Sequence, residues 1–359
     1  MPPPPSSTRP TRESPQLACP VPDVRVSGGL GSARPDGPSV LVLGAGFIGS
    51  AVAGALVQRD CLPIVFTRSD PAEQRRSQLA GASVVVGDTA DMGTLAAALN
   101  GVDQVVYAIG SSSPIESDLD PAADVAIVVP PLVRLLELLR LRPGVRLTFL
   151  SSGGAVYGEA IPPVDETARP RPISSYGIIK VTCEQYIHMY ADAHGVPAQI
   201  LRIGNAYGPG QPVSRGQGVV ARLVRSAVTG ELMPLYGGLD SVRDYIYIDD
   251  VAGAIADLAR IDSHERVLNI GTGIGHPLHE VLSLACEVTG RDIPTRNLGA
   301  RSFDVSANIL DVSRLTKLVP FAPLDLRTGL TRVWADANAS PEAMTLPENP
   351  PHAPGMQPH

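Results

Sequence analysis

A doubly wound α/β fold, with helices on both faces of one parallel sheet and a smaller C-terminal substrate-binding lobe, is predicted by three observations. Short, continuous apolar segments alternate with helical segments over most of the chain, the pattern of a parallel sheet buried on both sides. The first of these segments, Val40–Leu43, runs into Gly44-Ala45-Gly46-Phe47-Ile48-Gly49. That glycine spacing permits a tight turn, close approach of backbone to a pyrophosphate, and close helix–strand packing. Further on, Tyr176 and Lys180 stand four residues apart in a helical segment, which puts a phenol and an ammonium on one helix face. A Rossmann-type dinucleotide site followed by a tunable proton-transfer group points to hydride-transfer chemistry.

The elements follow in order. Residues 1–37 are rich in Pro, Ser, Gly and Arg without apolar periodicity, so a disordered leader is expected. Val40–Leu43 is the first strand, and the glycine turn opens a helix from Phe47 to about Arg59. Ile64–Thr67, Ser83–Val86, Gln104–Ala108, Arg146–Leu150 and Ala198–Arg202 are strands two to six. Helices are expected near Met92–Leu99, Ala123–Leu141, Tyr176–His194 and Val219–Thr229. Pro130 and Pro131 fall inside the second of these, and the loss of two backbone donors should kink or break it. The leucines between Leu132 and Leu141 suit a core stripe or a helix-pair interface. After about Gly208 the alternation loosens. The expected organisation is therefore a dinucleotide-binding domain over 38–207 with later sheet elements near 243–271, an interleaved substrate lobe over 208–336, and a disordered tail over 337–359.

With 359 residues, 44% of them apolar, the chain can bury a substantial core. A formal charge of −7 without basic runs argues against nucleic-acid and anionic-membrane partners, although a local basic pocket could still hold an anionic nucleotide. The longest apolar stretch, around Asp124–Leu141, is interrupted by prolines and charges and is not a membrane span. Met1-Pro2-Pro3-Pro4-Pro5 has no hydrophobic signal core. Cys19, Cys61, Cys183 and Cys286 are widely separated without metal-ligand spacing, so reduced thiols in a cytoplasmic protein are expected and no metal site is.

The glycine turn nominates Gly44, Gly46, Phe47, Ile48 and Gly49 for cofactor binding. About twenty residues on, an acidic residue ordinarily holds the adenosine ribose, but here the second strand ends in Thr67-Arg68-Ser69. A guanidinium flanked by hydroxyls suits a 2′-phosphate and favours NADP over NAD; alternatively Arg68 is a solvated surface arginine. Asp88 either accepts from the adenine amino group or caps the next helix. A lysine beside a tyrosine favours the phenolate, so Tyr176 is the candidate base and Lys180 its partner.

Several further strings occur in order: Val156-Tyr157-Gly158, Glu166, Tyr176-Gly177-x-x-Lys180, Glu184 and Leu201-Arg202-x-x-Asn205-x-Tyr207-Gly208-Pro209-Gly210. Leu235-Tyr236-Gly237, Arg243 to Asp250, Asn269 to Gly273 and Arg301-Ser302-Phe303-Asp304-Val305 come after them. Over about residues 39–332 the chain resembles the extended short-chain dehydrogenase/reductases, specifically the nucleotide-sugar epimerases and dehydratases, and most of all the UDP-glucose 4-epimerase branch. The resemblance implies a hydride taken from sugar C4 and returned to its other face, with Tyr176 moving the 4-hydroxyl proton and Lys180 on the nicotinamide ribose. It implies that Asn205, Tyr236, Arg243, Arg301 and Asp304 hold the nucleotide diphosphate, where guanidinium forks suit phosphate oxygens. It also implies tightly held NAD and a homodimer packed through the Tyr176 helix. An NADPH-dependent 4-ketoreductase and a non-catalytic binding homologue are the alternatives.

The chain departs from the pattern at three places. The active-site Ser or Thr of the resemblance falls on Gly153, and the threonine sometimes found two residues later falls on Ala155. Ser152 is the nearest substitute hydroxyl, with Ser111 to Ser113 as second choice. A structural asparagine aligns with Val128, and Leu43 replaces an extra glycine, which leaves the glycine turn intact.

Overall fold

The computed structural model describes residues 37–71, 73–110, 114–213, 218–299 and 304–339. Its first half runs β1 (Ser39–Leu43), α1 (Phe47–Val57), β2 (Leu62–Thr67), α2 (Glu73–Arg76), β3 (Ser83–Val86), α3 (Met92–Ala98), β4 (Gln104–Tyr107), α4 (Pro114–Leu119), α5 (Pro121–Leu139), β5 (Arg146–Ser152), α6 (Gly153–Val156), α7 (Ser175–His194) and β6 (Ala198–Ile203). There follow β7 (Asn205–Tyr207), α8 (Val219–Thr229), β8 (Met233–Leu235), β9 (Val242–Tyr247), α9 (Ile248–Ala259) and β10 (Val267–Ile270). The last elements are β11 (Gly275–Pro277), α10 (Leu278–Thr289), β12 (Thr295–Asn297), β13 (Ala307–Asn308), α11 (Ser313–Leu318) and α12 (Leu326–Ala339).

The central sheet has strand order β10-β6-β5-β4-β1-β2-β3, parallel throughout. The order reverses between β1 and β4, and a crevice at the carboxyl ends of the strands is where such sheets bind ligands. The pleat of β1 shows how the apolar runs build the two layers. Val40 and Val42 pack with Val52 and Leu56 of α1, whereas Leu41 and Leu43 pack with Leu95, Leu132 and Leu135 of α3 and α5. Burying each such side chain contributes about 1.5–3 kcal/mol. A third core lies between α8, α10, α12 and the second sheet.

The six expected strands are present, and β10 joins the sheet as a seventh. Only this part of the expected 243–271 elements enters the main sheet. Val242–Tyr247 forms β9 of a separate small sheet with β11, β13 and β7.

The expected break at the proline pair does not occur. α5 is continuous from Pro121 to Leu139 with Pro130 and Pro131 inside it. Those prolines remove the donors to the carbonyls four residues earlier, on Ala126 and Ile127, and both residues lie on the exposed face of the helix, where solvent can substitute. The opposite face, Val128, Leu132, Leu135, Leu136 and Leu139, is buried and holds the helix on the sheet. Among the described residues no helix is long and apolar enough to cross a membrane.

Candidate active site

The turn between β1 and α1 has the shape of an anion cradle. Gly44 has φ +108°, and a Cβ there would lie 3.0 Å from the Ala108 carbonyl oxygen; a Cβ at Gly49 would overlap the Gly44 carbonyl. At Gly46 a Cβ would meet nothing within 4 Å, so this face of the turn is open. Gly46 N-caps α1 without any side-chain cap, leaving the helix N-terminus available to a negative group. A dinucleotide pyrophosphate fits these features. Arg68 and Asp88 follow the carboxyl ends of β2 and β3, both exposed. Asp88 accepts from the Ala90 N–H at 2.8 Å, and the helix cap is instead Asp91, which accepts from Gly93 and Thr94.

Tyr176 stands in the first turn of α7. Ser174 Oγ caps this turn by accepting from the Gly177 N–H at 3.1 Å, and Asp118 accepts from the Ser175 N–H at 2.9 Å. A Cβ on Gly177 would lie 2.6 Å from the Ala155 carbonyl oxygen, so glycine lets α7 seat against α6. Lys180 is 4% exposed; its Nζ donates to the Leu150 carbonyl at 2.9 Å and lies 5.1 Å from the Phe149 ring centre and 5.7 Å from that of Tyr176. The expected pairing of ammonium and phenol on one helix face is thus in place. Ser152 ends β5 and makes no cap bond to α6.

A cavity of about 390 Å³ joins these parts. Its walls include Phe47, Ile48, Ser152, Tyr176, Asn205, Tyr236, Arg243 and Asp304, eight of the residues nominated from sequence, brought together from both halves of the chain. Gly44, Gly46, Gly49, Arg68, Asp88 and Lys180 are not in its lining; Lys180 sits behind Tyr176. Arg301 and Ser111 to Ser113 lie outside the described residues. Arg222 of α8 also lines the cavity and donates to the Pro234 carbonyl at 2.6 Å. Its position carried no sequence signal, since it reads as an ordinary helix cation until the fold turns α8 toward β8.

Residues 40–271 match the sequence profile of the NAD dependent epimerase/dehydratase family. The chain belongs to this family. It is 29% identical over 300 residues to a putative UDP-glucose 4-epimerase of Methanocaldococcus jannaschii, covering 82% of this chain and 97% of that one. Its fold superimposes with TM-score 0.77 on a UDP-glucose 4-epimerase from Thermotoga maritima crystallised with UDP-glucose, at 30% identity over 84% of this chain and 99% of that one. The corresponding enzyme from Thermus thermophilus, in complex with NAD, matches with TM-score 0.76 at 30% identity and the same coverage.

In this member of the epimerase/dehydratase family, the glycine where a hydroxyl was expected has a steric cause. A Cβ on Gly153 would lie 2.7 and 3.0 Å from the two Leu310 methyl carbons and 3.2 Å from the Arg202 carbonyl oxygen. Leu310 is fully buried, and Asn308 Nδ2 donates to the Gly153 carbonyl at 3.0 Å, fixing this contact from the other side. Gly153→Ser is therefore expected to destabilise by about 1–3 kcal/mol through overpacking. Adding Leu310→Ala should remove that clash while opening a cavity of its own. Urea unfolding of the two variants and of Leu310→Ala alone checks this: the double variant should be more stable than the sum of the singles.

Behind the site lies a buried polar network. Glu184, one turn after Lys180, accepts from Ser151 Oγ at 2.6 Å and from Arg202 Nε and Nη2 at 3.1 and 2.7 Å. Burial opposes the Arg202 charge, but the Glu184 hydrogen bonds and charge hold its pKa above the ordinary value. The guanidinium stacks 4.9 Å from the Tyr157 ring centre, and the Tyr157 hydroxyl donates to Asn269 Oδ1 at 2.7 Å. Glu166 accepts from the Asn269 N–H at 2.9 Å. Arg243 and Asp244, adjacent on β9, point to opposite sides of their sheet. Arg243 lines the cavity, while Asp244 accepts from Thr272, Gly273 and Leu310. Burial raises the Asp244 pKa, and the Thr272 hydrogen bonds partly offset it.

Proposed function

We propose that the protein is a nucleotide-sugar 4-epimerase of the UDP-glucose/UDP-galactose type, acting by reversible hydride transfer. One observation carries the reading: Tyr176 and Ser152 share a cavity with the first residues of α1 on one side and with Asn205, Tyr236, Arg243 and Asp304 on the other. The names of the relatives support UDP as the nucleotide.

When bound, the nicotinamide supplies a two-way hydride acceptor for sugar C4. Tyr176 removes the 4-hydroxyl proton and returns it to the opposite epimer. Lys180, with one N–H committed to the Leu150 carbonyl and its Nζ 5.7 Å from the Tyr176 ring centre, keeps donors that would hold the cofactor ribose. Ser152 replaces the hydroxyl displaced from position 153 and donates to the sugar oxygen. Arg243, and Arg301 where the family pattern places it, pair with the diphosphate. Asn205, Tyr236 and Asp304 complete this nucleotide-sugar lobe, assigned to 208–336 with Asn205 at its edge.

Purified protein given UDP-glucose should form UDP-galactose without added dinucleotide. Stoichiometric consumption of NADPH would instead favour the ketoreductase alternative, the second reading that Arg68 supports. NAD is the proposed working cofactor, with Arg68 also admitting NADP. Arg68→Ala is expected to weaken NADP binding about tenfold, as for loss of one charge-assisted hydrogen bond, and to leave NAD binding nearly unchanged. Equal affinities of wild type and variant for NADP would remove Arg68 from cofactor recognition.

The proposed assembly is a homodimer through α5 and α7, whose Val125, Ile127, Ile178, Tyr186 and Met189 are exposed large apolar residues. A cytoplasmic setting is proposed with it; Cys61, Cys183 and Cys286 are free thiols.

A further inference from the structure

We propose that Glu159 and Ser306 form a clasp that sets the nucleotide end of the cavity, so that Glu159 is a positioning residue for the nucleotide sugar. The proposal rests on the nucleotide-sugar reading above and adds a residue to it. Glu159 Oε1 accepts from the Ser306 N–H at 2.7 Å and Oε2 accepts from Ser306 Oγ at 2.8 Å, across 147 positions of sequence. The Ser306 carbonyl in turn accepts from the Val242 N–H at 2.9 Å. Ser306 thereby ties together three stretches that line the cavity. Asp304 and Val305 precede it, Ser241 and Arg243 flank its partner Val242, and the α6 turn with Ser152 and Ala155 leads to Glu159.

The backbone entering Glu159 is itself constrained. Glu159 follows Gly158, whose φ of +63° and overlap with the Arg171 carbonyl leave room for no side chain. A single carboxylate that grips both the N–H and the hydroxyl of one serine fixes the peptide before it and the side-chain rotamer together. Asp304 is two residues away. Both clasp residues are exposed, and exposed charged contacts contribute little to stability. What the contact does is restrict where Asp304 and Arg243 stand relative to the Tyr176 end.

The chemistry limits which replacements can work. Glu159→Ala removes both acceptors, whereas Glu159→Gln keeps the bond from the Ser306 N–H and can reverse the other, its amide N–H donating to Ser306 Oγ. Ser306→Ala removes one leg, whereas Ser306→Thr keeps both. The experiment measures UDP and NAD dissociation constants, KM and kcat for UDP-glucose, and melting temperature for wild type, these four variants and the Glu159→Ala/Ser306→Ala double variant. Glu159→Ala and Ser306→Ala should each raise the UDP dissociation constant and KM about fivefold or more, as for loss of at least one hydrogen bond, and Glu159→Gln should stay near wild type. The double variant should be no worse than Glu159→Ala, Ser306→Thr should match wild type, and kcat, NAD binding and melting temperature should stay put. Unchanged UDP binding in Glu159→Ala overturns the clasp while leaving the nucleotide-sugar reading intact. A fall in melting temperature with loss of every ligand alike also overturns it, by making the contact structural. Wild-type protein that binds no UDP overturns the parent reading and the clasp with it.

Discussion

Tyr176→Phe is expected to lower epimerisation by about 10²–10⁴-fold, the range for loss of a positioned acid–base group. The substitution removes one oxygen and keeps the ring, so the contact of Lys180 with the aromatic face, 5.7 Å from its centre, can persist. The α7 cap does not involve the phenol, because it is built from Ser174, Gly177, Asp118 and Ser175. Dinucleotide and UDP binding should therefore stay within about twofold of wild type, with the loss in kcat. Steady-state kinetics alongside direct binding measurements check this. An active Tyr176→Phe protein would assign the proton transfer to another group. A loss confined to KM would make Tyr176 a binding residue.

Glu184→Ala is expected to cost about 3–5 kcal/mol of stability, the largest effect on folding among the substitutions considered. The variant strands the Arg202 guanidinium, 4% exposed, in the interior, and orphans Ser151 Oγ as well. Arg202 Nη1 already has no hydrogen-bond partner among the described residues, and the Tyr157 ring 4.9 Å away supplies no counter-charge. Glu184→Gln keeps an acceptor and should lose less. Urea unfolding at neutral pH compares the two. A Glu184→Ala protein as stable as wild type would mean that Arg202 reaches solvent or another anion. The network also bears on catalysis, because Ser151 lies between Leu150, which holds Lys180, and Ser152 in the cavity wall. A softened β5 end should show as reduced kcat even under conditions where Glu184→Gln is fully folded.

Much of this site was readable before any coordinates because its chemistry is local. The glycine turn needs particular residues at consecutive positions, and Tyr176 and Lys180 need only one helical turn between them, so short strings carry both. The six strand segments were readable because buried parallel strands are continuous apolar runs. Other features depended on distant partners. Val267–Ile270 joined the main sheet and Val242–Tyr247 did not, although both are short apolar-containing segments, because partner choice lies in the crossover and not in either string. The proline pair was misleading since local rules cannot show that Ala126 and Ile127 lie on the exposed face while Val128, Leu132 and Leu135 hold the helix on the sheet. Gly153 marks the missing hydroxyl in the string, but only the fold shows that Leu310, remote in sequence, fills the space a side chain there would need. Arg222 and the Glu159–Ser306 contact were silent for the same reason.

The central claim is that the sugar C4 hydride leaves and returns within one protein molecule while Tyr176 handles only the hydroxyl proton. UDP-glucose carrying deuterium at C4, incubated with the enzyme in ordinary water, tests it most directly. UDP-galactose that retains the deuterium at C4, with no net consumption of dinucleotide, is the expected product. Deuterium lost to water would contradict it, because the carbon-bound hydrogen would then leave as a proton rather than a hydride.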